Sequence, residues 1–157
     1  MPTAKQPALR LTTFVPFRLN RLAVEVSNHM STIYRERFGL EVPEWRVLVT
    51  VAPEQGCTAQ QIAASTRMHK TRVSRAIAYL MEKGFIERVA NAEDRREMRL
   101  QLTKPGRKIY AELVPLALQR ERELLSCLSK AELQSFLAAL DRLENSLELA
   151  PLVAERD

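Results

Sequence analysis

The chain has 157 residues, 46% of them apolar and 27% charged, which suits one soluble globular chain with a core large enough to need no disulfide or metal. Its formal net charge of +5 points toward polyanionic partners. The two cysteines (Cys57, Cys127) and two histidines (His29, His69) have no zinc-ligand spacing, no run approaches the roughly 20 apolar residues of a membrane span, and the N-terminus lacks a signal-peptide core. No metal, no cofactor and no membrane partner is therefore expected, and a reducing cytoplasm is the expected location.

Residues 1–11, with Pro2, Pro7 and scattered basic residues, read as a flexible arm. From about residue 13 to 38, Val15, Leu19, Leu22, Val26, Met30, Ile33 and Tyr34 follow steps of three and four, the stripe of an amphipathic helix. Pro16 falls in its first turn and Gly39 is its stop. Pro43, Glu44 and Trp45 open a second, shorter helix carrying Val47, Leu48 and Val51, closed by Pro53, Gly56 and Cys57. Thr58 and Gln61 have the spacing of a capping box, in which each side chain satisfies the other residue's backbone N–H. The short third helix buries Ile62 and Ala63, and residues 65–68 form a turn. A fourth helix begins near His69 and ends at Gly84, placed where a left-handed residue belongs.

The period then changes to two. Residues 85–89 and Met98–Leu102 are expected to pair as a hairpin around a charged tip at 90–97. Thr103 caps a fifth helix with Pro105 in its first turn and Ile109, Leu113, Leu116, Arg120 and Leu124 along one side; Pro115 is expected to kink it or weaken its hydrogen-bond ladder. Ser129 and Glu132 form a second capping box, opening a last helix with Leu133, Phe136, Leu137, Leu140, Leu143 and Leu147 on one face. The expected fold is mostly α with a small β-hairpin wing: a winged helix-turn-helix domain at 43–103 and a helical dimerisation region at 12–42 and 104–157.

Residues 67–108 contain twelve Lys or Arg and five acids, so this stretch carries +7 and the remainder −2. Such concentration is the footprint of a phosphate-binding surface. In the fourth helix Val73, Ala76, Ile77 and Leu80 belong to the core. That leaves His69, Lys70, Thr71, Arg72, Ser74 and Arg75 on the outer face of its first half, side chains suited to base edges and phosphates in a major groove. At the hairpin tip, Arg95 and Arg96 suit a narrow minor groove. Asp94, unsuited to face DNA, is expected to orient an arginine or anchor the hairpin. Each piece alone also fits a solvated surface; their order makes coincidence less plausible.

The sequence resembles the MarR (multiple antibiotic resistance regulator) family from about residue 13 to 149. The resemblance rests on Trp45-Arg46-Val47-Leu48, on residues 71–75 and 80–88, and on Asp94-Arg95-Arg96 followed by Leu102-Thr103. It implies a homodimer of triangular outline, built by the first and last two helices, that sets two winged domains on successive major grooves of a pseudo-palindromic operator in double-stranded DNA. Half-sites would lie about 34–36 Å apart. It also implies a transcriptional regulator, commonly a repressor, released by a small effector that alters the spacing of the reading helices.

Phe14, Phe17, Arg18 and Arg21, with His29 and Trp45, are the candidate effector residues. Aromatic walls and a guanidinium suit an aromatic acid or its coenzyme A thioester. A second reading stays open: Phe14 and Phe17 as dimer core, Arg18 as a pair across the interface. Redox sensing is not expected, because no activating cluster surrounds either cysteine. Nor is an enzyme, for want of a nucleophile–base pair, a metal set or a phosphate loop. The competing binding class is a non-specific architectural DNA-binding protein, which would show steep salt dependence and no consensus.

Overall fold

The computed structural model describes residues 8–53, 55–91, 94 and 96–149. Six helices and one hairpin follow in order: α1 (Val15–Phe38), α2 (Val42–Val51), α3 (Ala59–Thr66), α4 (Lys70–Glu82), β1 (Ile86–Ala90), β2 (Met98–Leu102), α5 (Lys104–Leu125) and α6 (Lys130–Ser146). This is the mostly α architecture with a wing that the periodicities predict. Most of the arm expected at 1–11, and the end of the chain from 150 to 157, lie outside the described residues.

Local chemistry sets most boundaries. Thr58 and Gln61 make the reciprocal capping box that opens α3, and Ser129 with Glu132 does the same for α6. The α6 box holds the Glu132 carboxyl below its usual range, through hydrogen bonds from the backbone and side chain of Ser129. α2 starts one residue before Pro43, because Glu41 is its N-cap and closes a capping box with Glu44. Glu41 also receives a two-pronged bond from Arg35 at 2.9 and 2.7 Å. The expected turn at 65–68 is shorter: α3 continues through Thr66 and Arg67 adopts the left-handed conformation. β1 sits one residue later than expected: the Phe85 N–H donates back to Leu80 O at 2.9 Å, and its carbonyl alone reaches across the hairpin, accepting from Thr103 N–H at 3.1 Å. α5 runs as one helix through Pro115, which lies exposed.

The strands pair antiparallel with Ile86 opposite Leu102 and Ala90 opposite Met98. Cys57 extends this sheet by a bridge to Leu100, with Cys57 N–H on Leu100 O at 3.1 Å and Leu100 N–H on Cys57 O at 2.8 Å.

One core unites these parts. Leu40, Val47, Leu48, Val51, Ile62, Val73, Ala76, Leu80, Ile86, Leu100, Leu102 and Leu113 are all buried, joined by Ile33 and Tyr34 from α1. The opposite is true of the ends. α6 buries no residue, and Phe14, Val15, Leu19 and Leu22 of the α1 start, Leu118 of α5, Phe136, Leu137 and Leu143 of α6, and its C-cap Leu147 are exposed.

Gly106 marks where α5 meets the winged region: a Cβ there would fall on the carbonyl oxygen of Phe85. Thr103 holds the same junction, donating to Gly84 O and accepting from Gly106 N–H at 3.1 Å. Gly106→Ala is expected to lower unfolding free energy by about 3 kcal/mol or more, the upper range of overpacking, because backbone and not a side chain must yield. Urea denaturation monitored by circular dichroism checks this; a midpoint equal to the parent's would refute the close approach.

Candidate nucleic-acid interface

α3, the turn at 67–69 and α4 make a helix-turn-helix. α4 lays Val73, Ala76, Ile77 and Leu80 into the core. With 3.6 residues per turn this forces Lys70, Thr71, Arg72, Ser74 and Arg75 outward, and all five are exposed. His69 is the N-cap: its Nδ1 accepts from Thr71 N–H at 3.3 Å, which puts the proton of the neutral ring on Nε2, the outward nitrogen. Lys70, Arg72 and Arg75 enter no ion pair among the described residues. Far along α4, Tyr79 Oη donates to Gly39 O at 2.8 Å and Lys83 Nζ lies 5.5 Å from the Tyr79 ring centre. Tyr79 thereby pins α4 to the α1–α2 turn.

The wing follows α4 directly. Asp94 Oδ1 accepts from Arg96 N–H at 2.9 Å, so the aspartate turns the backbone at the tip, and the Arg96 side chain is exposed. Arg95 lies outside the described residues. A clamp that sequence reasoning missed supports the tip from below. Glu97 Oε2 accepts from Asn91 Nδ2 at 2.6 Å and from Arg99 Nε at 3.1 Å, and Arg99 Nη1 donates to Gln55 O at 3.1 Å. One arginine thus ties the wing to the α2–α3 loop. Its signal in the sequence was weak: Glu97 and Arg99 are two apart on a strand, a spacing shared by many solvated charges.

Cys57, in the same loop, is buried, and its Sγ donates to Thr50 O at 3.5 Å. Burial pushes its thiol up to about 11, leaving little thiolate at neutral pH. Cys127 is exposed. Among the described residues there is no cluster able to hold a metal, and no helix is long and apolar enough to cross a membrane.

The six residues expected around an effector do not meet within one chain. Phe14, Phe17, Arg18 and Arg21 are exposed at the start of α1, and His29 is exposed two turns beyond. Trp45 stacks on Tyr34, ring centres 5.3 Å apart and planes within 15°. Tyr34 lies seventeen residues after Phe17, about 25 Å along the helix. Burial raises the Tyr34 hydroxyl above its ordinary pKa, opposed by the charges of Arg46 and Arg35. Two cavities lie elsewhere: one of about 480 Å³ is lined by Arg37, Phe38, Ala111, Glu112, Pro115 and Leu116, and another of about 230 Å³ adjoins it between α1 and α5. None of the six lines either.

A reading helix with an unpaired basic face, followed by a hairpin with arginine at its tip, defines a winged helix-turn-helix DNA-binding protein. The sequence profile of the MarR family matches residues 38–97. The HTH-type transcriptional regulator YwoH of Bacillus subtilis is 32% identical over 101 residues, covering 64% of this chain and 73% of that protein. A MarR/EmrR family transcriptional regulator from an Acinetobacter species has the same fold with a TM-score of 0.81 at 28% identity, over 90% of this chain and all of the other. CouR from Rhodococcus jostii, crystallised with p-coumaroyl-CoA, has a TM-score of 0.77 at 18% identity, over 87% of this chain and 95% of its own. The chain belongs to the MarR family of DNA-binding transcriptional regulators.

Arg99→Met keeps the aliphatic stem but removes both polar ties of the wing. Amide exchange at Asn91 and Glu97 is expected to accelerate severalfold while the middle of α4 stays protected. Equal exchange in the variant and the parent would show that the Arg99 side chain does not hold the wing.

Proposed function

We propose that the chain acts in the cytoplasm as a homodimeric repressor, reading a pseudo-palindromic operator in double-stranded DNA and releasing it on binding a small aromatic acid or its coenzyme A thioester. The observation that carries the reading is the outward face of α4, where Lys70, Thr71, Arg72, Ser74 and Arg75 stand exposed beside the wing. In this reading Arg72 and Arg75 grip base edges, Ser74 and Thr71 reach bases or phosphates, and Lys70 and the His69 Nε2 proton face phosphate. Arg96, with Arg95, enters the minor groove, and Asp94 sets the tip.

The dimer reading rests on the ends of the chain. The winged part, 43–103, supplies most of the buried core, joined by Ile33, Tyr34 and Leu40 before it and Leu113 and Ala117 after it, whereas the α1 start and α6 leave apolar side chains bare. A second copy covering that face buries several leucines and phenylalanines per chain, and each large apolar side chain fully buried contributes about 1.5–3 kcal/mol. Two-fold symmetry also brings the α1 start of one copy toward the other copy. The scatter of Phe14, Phe17, Arg18, Arg21, His29 and Trp45 within one chain is compatible with a pocket completed across the dimer. The coenzyme A thioester in the CouR structure, on the same fold, supports that effector class.

Selection of bound duplexes from random DNA is expected to return an inverted repeat with half-sites about 34–36 Å apart. Salt-sensitive binding without a consensus would favour an architectural DNA binder instead. On the recovered site, Arg75→Ala is expected to cost about 1–3 kcal/mol and relax preference at one base pair, whereas Arg96→Ala weakens all sequences alike. Leu137→Glu on α6 is expected to give monomers by sedimentation velocity and to lose operator binding, with the helical circular dichroism retained. A stable dimer in that variant would place the interface elsewhere.

A further inference from the structure

Five described residues have the left-handed backbone conformation, and three of them are glycines: Gly39, Gly56 and Gly84. A fourth, Glu148, closes the end of α6. The fifth is Arg67, with φ of 55°, in the turn of the helix-turn-helix. A side chain with a Cβ is disfavoured there, and glycine is the residue that carries no such cost. The turn itself is required: α3 must stop after Ile62, and the next residue, Met68, must re-enter the core, where both are buried. The backbone alone would therefore be better served by glycine at 67.

What arginine adds is a charge. Arg67 is exposed and takes part in no ion pair among the described residues. It stands two residues before His69, the cap of α4, and belongs to the stretch carrying the chain's basic excess. A reading helix enters the major groove by its N-terminal residues, and the groove is edged by phosphates. A long cationic side chain just outside the helix start therefore reaches the edge of the groove, not its floor.

We infer that Arg67 is a phosphate-gripping residue of the operator complex, keeping a strained backbone for the sake of its guanidinium. This rests on the reading of α4 as the DNA-reading helix. The contact carries no sequence information, so it strengthens every complex alike and fixes how deeply α4 sits. A dimer makes it twice, once in each half-site.

Arg67→Gly separates the two effects, because they have opposite signs. Backbone relief predicts an unfolding midpoint equal to the parent's or higher; loss of the charge predicts weaker DNA binding. Binding is measured by fluorescence anisotropy with full-length protein on the selected operator and on an unrelated duplex of equal length, between about 50 and 200 mM salt. Losing two phosphate contacts per dimer lowers the slope of log affinity against log salt by about 1.8, so the deficit shrinks roughly tenfold across that range. The expected result is this change of slope on both duplexes, an undiminished midpoint, and near-parental binding by Arg67→Lys. Parental affinity and slope in Arg67→Gly would overturn the inference. So would a lowered midpoint together with equal losses in the glycine and lysine variants, since the residue would then act through the fold. If the parent bound neither duplex, the regulator reading itself would fall and this one with it.

Discussion

The packing of α4 on α2 is the constraint from which the rest of the molecule follows. Val47, Leu48 and Val51 on one side and Val73, Ala76, Ile77 and Leu80 on the other are all buried, with the small Ala76 wholly covered. Apolar burial of this kind contributes about 1.5–3 kcal/mol for each large side chain. The surface ion pair of Arg35 with Glu41 leaves more than half of each side chain exposed, where water and salt screen it and its contribution is small. The fold is therefore held by hydrocarbon, and few charges are committed to holding it. Once α4 is seated, its rotation is fixed, and with it the set of side chains presented outward. The basic face is a geometric consequence of the apolar one.

The wing cannot move independently of that seat. Leu100 is at once a core residue and the partner of Cys57 in two backbone bonds. Arg99 joins the strand to Gln55, and Thr103 joins the far end of β2 to the turn after α4. The reading helix and the wing thus form one rigid unit. The unit is connected to α1 through Tyr79 on Gly39 and through the Tyr34–Trp45 stack. In the proposed reading, a ligand that changed how two α1 helices meet would have a short mechanical connection to the separation of two α4 helices. Release, on that proposal, would require only that this separation stop matching the duplex, because an effector shifts an equilibrium by its differential affinity for the two arrangements.

Much of this was legible in the sequence because local chemistry and global packing agree. The boxes at Thr58 and Ser129, the Thr103 cap, the left-handed Gly84 and the inward face of α4 were readable from spacing alone, and β2 fell where alternation put it. The Glu41 box was not, because glutamate is an uncommon cap and here also holds Arg35. The turn at Arg67 was visible as a turn, but without glycine to mark it the sign of φ was hidden. The effector set is the instructive case. Phe17 and Trp45 share a chemistry that suits one ligand, and chemistry is what a sequence displays. Their separation depends on the length of α1 and on how two copies meet, and neither is written in residue type.

The acids of the basic stretch add a final electrostatic step. Asp94 is occupied by the Arg96 amide, Glu97 by Asn91 and Arg99, and Glu87 by Gln101. Their charges remain, but each carboxylate is turned toward the wing's own framework and stiffens it. Of the arginines in the same stretch, Arg99 is the one drawn into an ion pair among the described residues; Arg67, Arg72, Arg75 and Arg96 stand exposed. Sequence counting gives this stretch +7, and the hydrogen bonds that hold Asp94, Glu97 and Glu87 go to the wing itself, so these three carboxylates leave the α4 cations without an ion-pair partner among the described residues. A surface of that kind attracts any duplex, with strong dependence on salt. In the proposed reading, selectivity comes from the short polar and guanidinium groups of α4 once this unit is in the groove, and two such units at fixed separation would discriminate more sharply than either alone.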